Sequence, residues 1–269
     1  MADFSQRKSI TEDMFFFDTE TPYIYNGEEH TPEVSAFDSE YELTAADYDV
    51  DYDNNVNVGT ASISITGKGQ YQGILTLTFD IVRQLNVVYG ENNRWASYLA
   101  AEDLVTPENI NAYIVTGVQT GTVTVSKIDY IPQGVAVMLE LTTLESPEVL
   151  LAGAYDGEVL SFNGNLLQGC ATATAVSTLT ADNDVYVLYN DEFVKTTSGQ
   201  IPASRCYLPL AKGAAGARLA IAFDDESTAV HALTVSPAQR NAVYNVSGLR
   251  VTRPSKGLYI VDGKKVVVK

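Results

Sequence analysis

Histidine, cysteine, tryptophan and cationic side chains are all scarce in this chain. Only His30 and His231 occur among 269 residues. They stand in separate regions, so a Ser-His-Asp or Cys-His arrangement and a multi-histidine metal site have few candidates. Each is read as a solvent-exposed bystander. Cys170 and Cys206 are the only cysteines. They are either a disulfide formed in an oxidising compartment or two buried reduced thiols, and the deciding Cα separation is a matter of geometry. Seventeen Lys and Arg against 34 Asp and Glu leave a formal charge of −17. That deficit of cations argues against nucleic acid as a partner, because phosphate binding depends on clustered Lys and Arg that release counterions. No apolar run reaches the roughly 18–20 residues that span a bilayer as a helix, so no transmembrane segment is expected. Gly67-Lys-Gly69 lacks the following helix that would present amides to a phosphate. Acidic residues are numerous enough to allow many carboxylate pairs of the glycosidase kind, but a count is not a site. No catalytic residues, no enzyme activity and no cofactor are expected.

What is present is strand. Apolar residues make up 45% of the chain and charged ones 19%, which suits a globular protein burying roughly 70–75% of its unfolded surface. Thr60–Thr66, Thr76–Ile81, Thr120–Ser126 and Asp184–Tyr189 alternate with period two and are rich in β-branched and aromatic residues. Asn26-Gly27, Gly67-Lys-Gly69, Asp156-Gly157, Asn163-Gly164 and Ser198-Gly199 punctuate the chain with turn formers. The pattern predicts an all-β protein of antiparallel, sandwich-like domains. Only Arg94 to Asp103 and Ala211 to Ala217 could hold a short helix or a turn of one.

Two constellations bear on binding. Asp47, Asp49, Asp51 and Asp53 place a carboxylate at every second position, which suits calcium in ligand type. An EF-hand would need Gly and Glu where the chain has Tyr52 and Val58. In a strand the four would line one face, and a charged, solvent-facing edge that blocks sheet-to-sheet association is favoured over calcium. Sixteen Tyr accompany Trp95, the single Trp. Most are expected in cores and on sheet surfaces; if a cluster stacks on a glycan, Tyr89, Trp95 and Tyr98 near a domain junction are the candidates.

Three stretches resemble known modules. Tyr25-Asn-Gly27, Thr31-Pro-Glu-Val34, Asp47-Tyr48, Asn54-Asn55, Gly59-Thr-Ala61 and Gly67-Lys-Gly69, within residues 14–82, resemble one copy of a bacterial cell-surface repeat. The resemblance implies a small β-sandwich-like, Ig-like spacer. Ile131-Pro132, Val185-Tyr-Val-Leu188, Ile201-Pro-Ala203 and Cys206-Tyr-Leu-Pro-Leu210, within 95–225, resemble a β-domain of exported bacterial proteins. The tail, with Val243-Tyr-Asn245, Gly248, Arg250-Val251, Gly257, Tyr259-Ile260 and Gly263-Lys-Lys265, resembles the short C-terminal module of secreted proteins of Gram-negative gut and oral anaerobes. It is similar, more loosely, to the sorting domains read by type IX secretion. Within that tail Asp262-Gly263 is a hairpin signal. From Arg240 onward seven basic residues face Asp262 alone, so the tail carries +6 and the remainder −23.

The domain reading is an N-terminal segment 1–13, a spacer 14–82, a linker 83–94, a larger antiparallel β-domain 95–225 and a terminal hairpin module 226–269. The first residues form no secretory signal, so a mature or partial chain is expected. The functional expectation is a non-enzymatic secreted or surface-displayed protein, structural or adhesive. Glycans or host surface proteins are its expected ligands, and export or anchoring machinery would read the tail. The alternative is the non-catalytic C-terminal region of a larger secreted hydrolase.

Overall fold

Alternation of apolar side chains builds the first sheet. Gly59–Gly67 pairs antiparallel with Tyr48–Asp53 on one side and Ile74–Gln84 on the other. Ala61, Ile63 and Ile65 are fully buried on one face, and Phe79 and Ile81 join them across the ladder. The opposing layer is a small sheet of Phe15–Phe16, Ser35–Asp38 and Tyr41–Glu42, which covers this core with Phe15 and Ala36. The structure is a computed structural model that describes residues 7–87, 89, 90, 93–143 and 149–224, with the backbone of three further strands in the tail. Among the described residues helix is confined to two 3₁₀ turns, Glu12–Met14 and Val176–Thr178. The protein is all-β, built from several sheets.

Among the described residues three strand pairs are parallel, which departs from the antiparallel expectation. Lys8–Ser9 runs beside Tyr71–Gln72 and Tyr23–Ile24 beside Ile74–Gln84. The third, Thr122–Ile128 beside Arg218–Phe223, lies in the larger sheet. Residues before 14 take part in the first core, since Ile10 is buried in it. The stretch 83–94 is also bound in. Arg83 and Gln84 pair with Ala152 and Leu151, Leu85 is 3% exposed, and the Arg83 guanidinium grips the Glu102 carboxylate while lying 3.9 Å from the Tyr25 ring. Arg94 to Asp103, a helix candidate by sequence, holds the strand Trp95–Leu99, whose burial alternates. Thr120 and Gly121, read as strand, form the turn joining Ile110–Gln119 to Thr122–Ile128.

The second sheet has nine strands. In order they are Trp95–Leu99, Ala136–Leu141, Ile110–Gln119, Thr122–Ile128, Arg218–Phe223, Glu192–Thr196, Asn183–Tyr189, Arg205–Ala211 and Gln168–Cys170. Taken inward from its two ends, the sheet repeats one topology. Trp95–Leu99 precedes a short strand Leu104–Val105, a hairpin of Ile110–Gln119 and Thr122–Ile128, a short strand Tyr130–Ile131 and the return strand Ala136–Leu141. Gln168–Cys170, Thr174–Ala175, Asn183–Tyr189 with Glu192–Thr196, Gln200–Ile201 and Arg205–Ala211 follow the same course.

Outside the hairpins the registers agree residue by residue. Leu99 pairs with Ala136 and Gly169 with Cys206; Leu104 pairs with Ile131 and Thr174 with Ile201, each 70 positions on. In the central strands Tyr113 pairs with Met138 and Tyr186 with Leu208. Gly134 N donates to Ala100 O and Ser204 N to Cys170 O, and both Gly134 and Ser204 have left-handed φ, +67° and +58°. The chain therefore contains two structural repeats, about residues 95–141 and 165–211.

The nine-stranded sheet curls until its ends meet. Leu99 N donates to Ser204 O, the Arg205 guanidinium to Ser97 O, and Cys206 N to Ser97 Oγ. The core inside the curl draws on both repeats, with Tyr113, Val115, Ala136 and Met138 among its members from one and Tyr186, Phe193, Cys206 and Leu208 among those from the other. Gly169 has a packing role here, because a Cβ at that position would fall 2.5 Å from Leu99 Cδ1. A second core, with Tyr98, Leu104, Val137 and Leu139, backs the outer face of the first repeat and includes Leu85, Leu150 and Ala152.

Residues 224–269 form a separate unit. Its described backbone is a three-stranded antiparallel sheet of Val243–Asn245, Gly257–Val261 and Lys264–Val268. Val261 pairs with Lys264, so the predicted terminal hairpin is present. Asp262, Gly263, Gly248, Arg250 and Val251 lie outside the described residues, as does His231.

Candidate functional site

In each repeat the central strand and the return strand part company after four pairs and leave a fork. In the first repeat the ladder ends at Tyr113 and Met138. Asn165 enters the fork beyond it. Its Oδ1 accepts from Val115 N at 3.1 Å and from Leu167 N at 3.2 Å, and its Nδ2 donates to Ala136 O at 2.7 Å. Leu166 N donates to Val115 O at 2.8 Å. That fork is closed by chain 165–167, the lead-in to the second repeat.

In the second repeat the ladder ends at Tyr186 and Leu208. The residue equivalent to Asn165 is Trp95, because Leu99 and Gly169 occupy matching register positions. The indole does not reproduce the carboxamide bridge. Strands 183–189 and 192–196 are joined by Asn190-Asp191, both with positive φ (+50° and +58°), which is a two-residue turn of the type I′ kind. The Asp191 carboxylate accepts from Arg94 N and Trp95 N, each at 3.0 Å through Oδ1. The lead-in is thereby held at the hairpin tip, and the fork stays open as a cavity of about 340 Å³. Trp95, Ser97, Leu188, Thr196, Gln200 and Arg205 line it, with Ser198 and Pro202 exposed at its mouth.

The electrostatics centre on Arg205. Its guanidinium donates to Ser97 O at 3.0 Å, and no carboxylate among the described residues pairs with it. Burial lowers its pKa, with Tyr89 and Tyr98 close enough to interact. Cys206 is buried behind it, donates from Sγ to Tyr98 O, and has its thiol pKa pushed up to about 12 by burial.

The predicted glycan cluster does not assemble. Trp95 lines the fork and packs against Tyr113 and Phe223 at centroid distances of 5.2 and 5.9 Å. Tyr98 lies on the other face of the same strand, 6% exposed in the outer core, and Tyr89 packs against that same core. The Tyr89 hydroxyl is buried without a hydrogen-bond partner among the described residues, and burial raises its pKa. An odd sequence separation of three puts residues 95 and 98 on opposite faces of a strand.

The acidic run divides as well. Asp49, Asp51 and Asp53 lie exposed on one face of Tyr48–Asp53, an edge strand of its sheet, and Asp49 pairs with Lys68. Asp47 precedes the strand and turns inward, accepting from Thr44 N and Oγ1 at 2.9 and 3.0 Å. Four carboxylates therefore do not share one face. Among the described residues no three His, Cys, Asp or Glu converge as metal ligands.

Cys170 and Cys206 are both buried and free. The ladder sets Gly169 opposite Cys206 and Cys170 opposite Arg205. A one-residue offset sends the two thiols to opposite faces, so neighbouring strands do not make a bridgeable pair. His30, read as exposed, is half-buried edge-on to Tyr23 with Nε2 buried and unpartnered among the described residues.

Of the residues lining the open fork, Trp95 is the one singled out from the sequence for ligand binding; Ser97, Leu188, Thr196, Gln200 and Arg205 are not. A signal was present in Ile131-Pro132 and Ile201-Pro202, which mark matching turns of the two repeats 70 residues apart. No protein-family model, curated protein or solved structure matches the chain.

Proposed function

We propose that the chain is a non-enzymatic ligand-binding module of a secreted or surface-displayed protein, and that the open fork is its binding site. The observation that carries this reading is the fork itself. Its volume falls at the lower end of the roughly 300–1,000 Å³ range of small-molecule sites. An indole, an arginine without a carboxylate partner among the described residues and the neutral polar side chains of Ser97, Thr196, Ser198 and Gln200 line it, a combination suited to orienting a polar ligand against an aromatic wall. The first sheet is the spacer on which this curled sheet is carried. The basic C-terminal unit is the element that export or anchoring machinery would read.

The test is binding of the purified chain to an array of bacterial, dietary and host glycans, mucin and matrix proteins, beside a Ser198→Phe variant that fills the exposed mouth. Saturable, selective binding lost in the variant supports the reading. Absence of selective binding to every class on the array, or binding unaffected by Ser198→Phe, removes the fork as a ligand site.

A further inference from the structure

The closed fork shows what the open fork is built to hold. In the first repeat, beyond the end of the ladder, the Val115 N–H and C=O turn toward the fork, and both are matched by extended chain: Asn165 Oδ1 on the N–H, Leu166 N–H on the C=O. Leu188 is the equivalent residue of the second repeat. In a hairpin closed by a two-residue turn, the pair Tyr189 and Glu192 carries the closing hydrogen bonds, and bonded pairs then alternate. Leu188 and Phe193 are thus a non-bonded pair, and the Leu188 N–H and C=O face away from 192–196. They face a strand, 205–211, whose ladder has already ended at Leu208. Beyond Tyr186 and Leu208 the two strands have no further paired residues, Leu188 makes no backbone hydrogen bond to a residue outside the strands among the described residues, and its side chain lines the cavity.

We infer that the open fork binds an extended peptide carrying an asparagine, seated as Asn165-Leu166 is seated in the first repeat. The inference rests on the binding role proposed for this fork and names its ligand. A donor and an acceptor presented by one strand residue are matched by extended backbone, which is how an added strand gains its affinity. The asparagine carboxamide takes the Leu188 N–H, and the next residue's N–H gives to the Leu188 C=O. Trp95, displaced toward the Asn190-Asp191 turn, leaves room for the peptide and supplies an apolar wall. Arg205 offers a cation to an acidic side chain further along the peptide or to its terminal carboxylate.

The chain supplies its own probe and reporter. A synthetic peptide copying residues 162–168, Phe162-Asn-Gly-Asn-Leu-Leu-Gln168, is titrated into the whole protein. Trp95 is the only Trp, so its fluorescence reports on the fork directly. The expected result is a saturable change, with about tenfold weaker binding when Ala replaces the asparagine at the position of Asn165, the loss that goes with an unmatched buried N–H. Calorimetry with Ser198→Phe is expected to show no binding. Equal affinity of the two peptides, no binding of either, or unchanged binding to Ser198→Phe overturns the inference. Glycan binding without peptide binding overturns it while leaving the fork a ligand site; failure of every probe removes both.

Discussion

In the first repeat Asn165 bridges Val115 and Ala136 and the fork is filled; in the second, Trp95 stands at the same register position and a cavity of about 340 Å³ remains. The surrounding strands keep the same order, while the first repeat's hairpin has a register shift between Val115 and Gly117 that the second lacks; at the fork the two differ in one side chain and in where its backbone is tethered. A small carboxamide supplies a donor and an acceptor on the scale of the gap. An indole supplies one donor and too much bulk, and the Asp191 carboxylate holds its backbone at the hairpin tip instead. A repeated topology gives two equivalent places, and unlike residues at them leave one filled and the other open.

The comparison is broken most severely at the shared core. Tyr113 and Tyr186 occupy matching positions, 6% and 0% exposed. Tyr186→Ala is expected to cost about 3–5 kcal/mol, and Tyr113→Ala a similar amount, in guanidinium denaturation at constant m. A near-neutral Tyr113→Ala beside a severe Tyr186→Ala would show that the core is not shared.

A smaller effect is expected at the closed fork. Asn165→Ala leaves Val115 N–H and Ala136 C=O unmatched, which is expected to cost about 1–3 kcal/mol by the same measurement. A neutral result would mean that the carboxamide bridge does not hold the fork closed.

The smallest effect separates the repeats by pH. Asp184 pairs with Lys195 at 2.7 Å and accepts from Gly213 N, which lowers its carboxyl pKa; the hydrogen bond from Lys195 is the main cause. The equivalent position in the first repeat is Asn111. A depressed carboxyl stabilises the fold above its unfolded pKa of about 3.9, and that contribution is lost as pH falls through the lower folded value. Asp184→Asn is therefore expected to lower the melting temperature near pH 7 and to differ little from the parent near pH 2. An equal deficit at both values would show that the charge is not what matters.

Much of the fold was legible because it depends on local chemistry. Ala61, Ile63 and Ile65 alternate and are buried together, and Gly69 takes the positive φ, +63°, that its turn demands. The edge position of the acidic strand also follows from its charge. The repeats were harder to see, because burial constrains only alternate positions and leaves identities free: Ala136 matches Cys206 and Met138 matches Leu208. The glycan cluster was misjudged because nearness in sequence does not say which face of a strand a residue occupies, and Tyr98 faces away from Trp95.

By itself the sequence determined strand content, turn positions and the charged edge, each set within a few residues by side-chain alternation and by backbone conformations open to glycine, asparagine and aspartate. Only the tertiary structure decided that residues 70 apart are equivalent, that the cysteines face opposite ways, and that one fork is filled and the other open. Those outcomes depend on register between distant strands and on where the curled sheet closes, and register is fixed by pairing across space.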